Sequence, residues 1–109
     1  MKPRESSVKS KEFEVRELER QLAQSDMMIA DFQRIADDLD AQIEAEERRT
    51  GISDPNHFAY STAARAARQR RDKLTSSIDD LEERRAATAE ELRQVREVYD
   101  SMVHAIDAA

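Results

Sequence analysis

The chain has 109 residues, a net charge of −6, 39% charged residues and only 5% aromatic ones. That balance leaves too little large apolar surface for an ordinary globular core, allows one domain at most, and matches the composition of long helices and coiled coils. With no cysteine, a disulfide scaffold, a thiolate metal site and a cysteine nucleophile are excluded.

Residues 1–7 show no apolar core of a secretory signal, and no run approaches the ~18 apolar residues of a membrane span. The expectation is a soluble, cytoplasmic protein without direct membrane insertion. The acidic balance argues against nucleic acid as its main partner.

The elements predicted in chain order are a frayed segment 1–6, a first helix over 7–50, a turn region 51–60, a second helix over 61–106 and a frayed 107–109. Setting heptad position a at Val8 places Val8, Val15, Leu22, Ile29, Ala36 and Ile43 at a, and Lys11, Leu18, Ser25, Phe32, Leu39 and Glu46 at d. Nine of these twelve are apolar, where scatter would give about five. The second arm has Ala64, Arg71, Ile78, Arg85, Leu92, Tyr99 and Ile106 at a, and Tyr60, Ala67, Leu74, Leu81, Thr88, Val95 and Met102 at d; eleven of these fourteen are apolar. A period of 3.5 specifies a left-handed supercoil, and a stripe only two positions wide calls for a single partner helix.

The stretch Thr50-Gly51-Ile52-Ser53-Asp54-Pro55-Asn56-His57-Phe58-Ala59 holds the only glycine and the only proline beyond residue 3. Heptad phase runs unbroken through it, so phase alone permits one continuous helix paired with a second copy. The turn chemistry opposes this: Pro55 inside a helix costs about 3 kcal/mol and Gly51 about 1 kcal/mol. As punctuation the same residues fit well, with Gly51 ending the first helix in the left-handed region and Ser53 or Asp54 capping the second near Pro55. The predicted fold is all-α, a long antiparallel two-helix coiled-coil hairpin, residues 1–109 forming one domain with arms of roughly 60–65 Å.

Charge supports the orientation. Residues 26–47 carry eight carboxylates against Arg34, and residues 61–75 carry Arg65, Arg68, Arg70, Arg71 and Lys73 against Asp72. Pairing positions that sum to 110 sets Leu39 against Arg71, Ala36 against Leu74, Leu18 against Leu92 and Val15 against Val95. It also predicts ion pairs Asp40–Arg68 and Glu12–Arg96, and a mismatch of Asp26 with Glu82. Arg71, Ser25 against Arg85, Lys11 against Tyr99 and Leu22 against Thr88 make poor layers, whose long side chains are expected to snorkel out of the seam.

Phe13 and Met27 fall at f, opposite the seam; Met28, Ile35 and Val98 fall at g, where they are expected to cover its edge. Phe58 is expected to fold back over the hairpin end. The candidate partner contacts are Phe13, Met27, Ile52, Phe58, Arg65, Arg68, Val98 and Val103. The arginine cluster is expected to answer the acidic face of the first arm, with no interleaved aromatics to stack bases.

No catalytic, cofactor or metal site is expected. His57 and His104 would lie at opposite ends of the hairpin, carboxylates on a two-helix rod stay solvated, and one glycine makes no phosphate loop.

Met28-Ile29-Ala30-Asp31-Phe32, the turn string Gly51-Ile52-Ser53-Asp54-Pro55 through His57-Phe58-Ala59-Tyr60, and Gln69-Arg70-Arg71-Asp72 resemble the FliJ family of the bacterial flagellar type III export apparatus, in its alphaproteobacterial form. The resemblance covers nearly the whole chain. It implies a non-enzymatic cytoplasmic antiparallel coiled coil, similar to the central stalk of rotary ATP synthases. The implied partners are the hexameric export ATPase, whose assembly it promotes, the membrane export gate protein and export chaperones, at the flagellar base on the inner membrane. It would act as a monomer or weak homo-oligomer. The competing expectation is a structural or scaffolding homodimer unrelated to export.

Overall fold

Two helices account for nearly all of residues 4–108, the part of the chain that the computed structural model describes: α1, Glu5–Thr50, and α2, Thr62–Asp107. The fold is an all-α helical hairpin. Neither helix contains glycine or proline, and both are rich in Ala, Leu, Glu, Gln and Arg, so nothing interrupts the ladder until Gly51. Both helices extend slightly past the expected bounds. Glu5 and Ser6 are already helical, with Ser7 and Val8 donating to the Arg4 carbonyl, and Asp107 is helical too, Ala108 donating to the His104 carbonyl. The frayed ends expected at residues 1–3 and 109 lie outside the described residues.

Gly51 ends α1 as its position requires. Its φ is 74°, in the left-handed region where an L side chain is strained, and its N–H donates to the Glu47 carbonyl at 2.9 Å. The start of α2 differs from expectation. Ser61 is the cap, its Oγ accepting the Ala64 N–H at 3.2 Å, while Ser53 and Asp54 lie well outside the helix. Asp54 instead opens a β-turn: its carbonyl accepts the His57 N–H, its carboxylate accepts the Asn56 N–H at 2.9 Å, and Pro55 holds the second position, which suits its fixed φ.

The seam follows the heptads. Every a and d position named above is buried or half-buried, and every buried apolar side chain among the described residues is one of them. Their contacts divide into two compact units. In Met1–Met27 with Glu82–Ala109, the core is Leu18, Leu92 and Val95, flanked by Val15 and Leu22. In Met28–Leu81, it is Leu39, Ile43 and Ala67 with Leu74 against them, and Ala36, Ala64 and Tyr60 are also buried.

The poor layers resolve as snorkelling predicts. Lys11 turns along its own helix to Glu14 at 3.0 Å. Arg71 and Arg85, both at a, leave the seam for Asp40 and Asp26, so Asp26 has a cation beside it where a mismatch was expected. Two expected ion pairs are replaced. Arg68 meets Glu47 at 3.2 Å, away from Asp40, and Arg96 meets Glu19 at 2.8 Å, away from Glu12. The cause is side-chain direction. Helical side chains lean toward their own N-terminus. In antiparallel helices such a lean brings an α2 arginine to a carboxylate one heptad nearer the turn than the level pairing suggests.

Candidate partner surfaces

The turn end of the unit Met28–Leu81 is the most organised polar region of the chain. Tyr60, just before α2, is 5% exposed, and its hydroxyl donates to Glu47 Oε2 at 2.9 Å. Arg68 Nε donates to the same hydroxyl at 2.7 Å, and its Nη2 reaches Glu47 Oε2 at 3.2 Å. The guanidinium carbons of Arg65 and Arg68 lie 5.4 and 5.8 Å from the Tyr60 ring centre, and Arg65 donates to the Pro55 carbonyl at 3.1 Å. Hydrogen bonds to Tyr60 and then to Glu47 raise the Arg68 pKa above its ordinary value, so its charge is permanent.

Beside this triangle, Glu46 accepts from Arg49 and from the Ser61 hydroxyl at 2.8 Å. These bonds, the Arg49 one foremost, lower its carboxyl from 4.5 to about 2. Ser61 thus caps α2 and ties its first residue to the last turn of α1. No buried side-chain nitrogen or oxygen lacks a partner among the described residues.

Phe58 does not fold back. It is 95% exposed, its ring stacked only on His57 at 4.7 Å between centroids. The backbone around it is satisfied without it: Ala59 N–H donates to His57 Nδ1 and Tyr60 N–H to the His57 carbonyl, both at 3.0 Å. A short turn closed by local hydrogen bonds has no interior for the ring to enter.

The remaining candidates separate. Phe13 and Met27, in the unit Met1–Met27 with Glu82–Ala109, are 70% and 68% exposed, as their f positions require. Met28, Ile35 and Val98 remain over 40% exposed, so they line the seam edge without closing it. Arg65 is exposed, whereas Arg68 is half-buried and occupied by Tyr60 and Glu47, which leaves it a fold contact. Ile52 and Val103 are half-buried. Sequence reasoning missed Ser61 and the Tyr60 hydroxyl. The available signal was a serine directly before the second heptad run; Pro55 drew the expected cap seven or eight residues too early.

Each unit carries a shallow groove. Leu22, Ala89 and Leu92 floor a groove of about 350 Å³ rimmed by Arg93, Arg96, Glu97 and Asp100, where the small Thr88 and Ala89 leave Leu22 half-buried. Glu44, Glu47, Arg48, Gly51 and Ser53 line one of about 320 Å³. Among the described residues no group of three or more His, Cys, Asp or Glu side chains could hold a metal ion, and no helix is long and apolar enough to cross a membrane. No family model, curated protein or solved structure matches the chain.

Proposed function

We propose that the chain is a non-catalytic coupling subunit of flagellar type III protein export, held peripherally at the flagellar base. In this reading it binds the hexameric export ATPase, promotes its assembly and activity, and contacts the export gate protein and export chaperones. The observation that carries the reading is the turn string 51–60. It bears the most specific part of the resemblance, and it forms a hydrogen-bonded turn closing a helical hairpin and presenting Phe58 to solvent.

Two helices side by side are about 20 Å across, a width that suits a ring pore. By analogy with a rotary stalk, the segments bearing Phe13, Val98 and Val103 enter the ring, and the turn with Ile52, Phe58 and Arg65 faces a second partner. Adding the purified chain to the export ATPase is expected to raise ATP turnover and the hexamer fraction; unchanged turnover and assembly would overturn the proposal. Spin labels at positions 8 and 102, within one unit, address the scaffolding alternative. A short intrachain distance in a monomer is expected, and a dimer with the two sites far apart would replace the hairpin by a continuous helix.

A further inference from the structure

The two edges of the seam in Met28–Leu81 are built differently. On the e edge, Asp40 and Glu47 are tied across to Arg71 and Arg68. The g edge has Met28, Ile35 and Gln42 on α1, and Ala63, Arg70 and Ser77 on α2. No cross-helix ion pair among the described residues uses a g position.

Met28, Phe32, Ile35 and Leu39 recur at i, i+4, i+7 and i+11, so they form one ridge along α1. Leu39 is sealed in the seam, Phe32 is half-buried, and Met28 and Ile35 are 46% and 42% exposed. Ser77 is too short to cover Ile35, and Leu74 stays half-buried. Apolar residues at g as well as a and d give this stretch the width of a helix with two neighbours.

The rims have opposite sign. Along α1, Asp31 and Asp38 stand at c, next to the g ridge. Along α2, Arg70 stands at g and Lys73 at c, neither joins an ion pair among the described residues, and Asp80 at c is the one acid at the g and c positions of α2 within the unit.

We propose that this edge docks one amphipathic helix of another protein, apolar along one stripe, acidic on the flank beside α2 and basic on the flank beside α1. A second copy of this chain is a poorer occupant. The ridge spans under two heptads of one helix, well short of the ~800 Å² per partner of a stable interface. A single helix needs only anchors at i, i+4 and i+7.

The test uses the full chain and labelled designed helices of about 20 residues. They share one leucine stripe and carry glutamates on one flank with lysines on the other, glutamates on both, or lysines on both. By fluorescence anisotropy the mixed helix is expected to bind about tenfold tighter than either uniform one. Met28→Ser with Ile35→Ser is expected to weaken it about tenfold, with the hairpin still folded by circular dichroism at the assay temperature. Arg70→Glu with Lys73→Glu should transfer preference to the all-lysine helix. Equal binding of the three helices, or indifference to both double variants, would sink the proposal. So would a concentration-dependent dimer in light scattering that the Met28/Ile35 variant abolishes, since the occupant would then be a second copy. The result is read separately from ATPase turnover, so the two proposals fail independently.

Discussion

The unit Met28–Leu81 and the unit Met1–Met27 with Glu82–Ala109 share one heptad pattern but close their seams by different means. The first layers alanines with large aliphatics, Leu39, Ile43, Ile78 and Leu81 among them. Ala64 is 1% exposed and Ala36 4%, beside Leu39 at 2%, and its carboxylates reach across to Tyr60, Ser61, Arg68 and Arg71. The second uses Leu18, Leu92 and Val95. Each unit has two ion pairs across the seam among the described residues, Arg85–Asp26 and Arg96–Glu19 in the second, but only the first adds the hydroxyls of Tyr60 and Ser61; the other pairs in both run along one helix, as Lys11–Glu14 and Arg34–Asp31 do. Beside the small Ala64 the Ser61 hydroxyl reaches Glu46 of the facing helix at 2.8 Å. Leucine layers hold helices by apolar burial, and ion pairs within one helix support that helix by itself. Local exposed pairs of that kind are worth about 0.2–0.5 kcal/mol each. The comparison teaches that specificity concentrates beside the turn.

The largest expected effect comes from truncating the seam. Leu39→Ala should lower stability by about 2–5 kcal/mol, read by chemical denaturation followed by circular dichroism. Leu92→Ala in the other unit should cost a similar amount. A loss under about 0.5 kcal/mol at either position would show that its seam does not hold that unit together.

Enlarging small residues should have opposite signs in the two units. Ala64→Leu has no space and is expected to cost about 1–3 kcal/mol. Thr88→Leu adds apolar volume beside the groove at Leu22 and Ala89 and should stabilise by roughly 0.5–1 kcal/mol. Equal destabilisation by both would erase the distinction between the sealed position at Ala64 and the open one beside the groove.

Tyr60→Phe removes the hydroxyl shared by Glu47 and Arg68 and should cost about 1 kcal/mol. Faster amide exchange should follow in residues 57–64 and be absent around Leu92. Uniform protection loss in both units would mean that the triangle is not a local latch.

The smallest and most specific effect is acid sensitivity. Glu46 has its folded pKa depressed from 4.5 to about 2 by Arg49 and Ser61. A depressed carboxylate contributes stability that is fully present above its unfolded pKa and is lost as pH falls through the folded one. Glu46 therefore should contribute to a decline between about pH 4.5 and about 2. Glu46→Gln should reduce that part of the acid dependence; identical profiles for both proteins would remove Glu46 from the account.

Much of the fold was legible in the residues. Helix identity, the seam and its phase follow from 3.5-residue periodicity, which only helices in a coiled pair can satisfy, and all the assigned a and d positions are withdrawn from solvent. Gly51 as the end of α1 follows from its freedom at positive φ. The exposure of Phe13 and Met27 follows from their f positions. What only the tertiary structure decided depends on direction and distance, which a one-dimensional pattern does not carry. Pro55 suited a helix start, but Asp54 accepts the His57 and Asn56 N–H groups and makes Pro55 the second residue of a β-turn. Ser61 became the cap because the last turn of α1 offers Glu46 to the same hydroxyl. Arg68 and Arg96 chose their carboxylates by the lean of antiparallel side chains, which a level pairing ignores. Phe58 stayed outside because the turn beneath it satisfies its own backbone and leaves no apolar interior to enter.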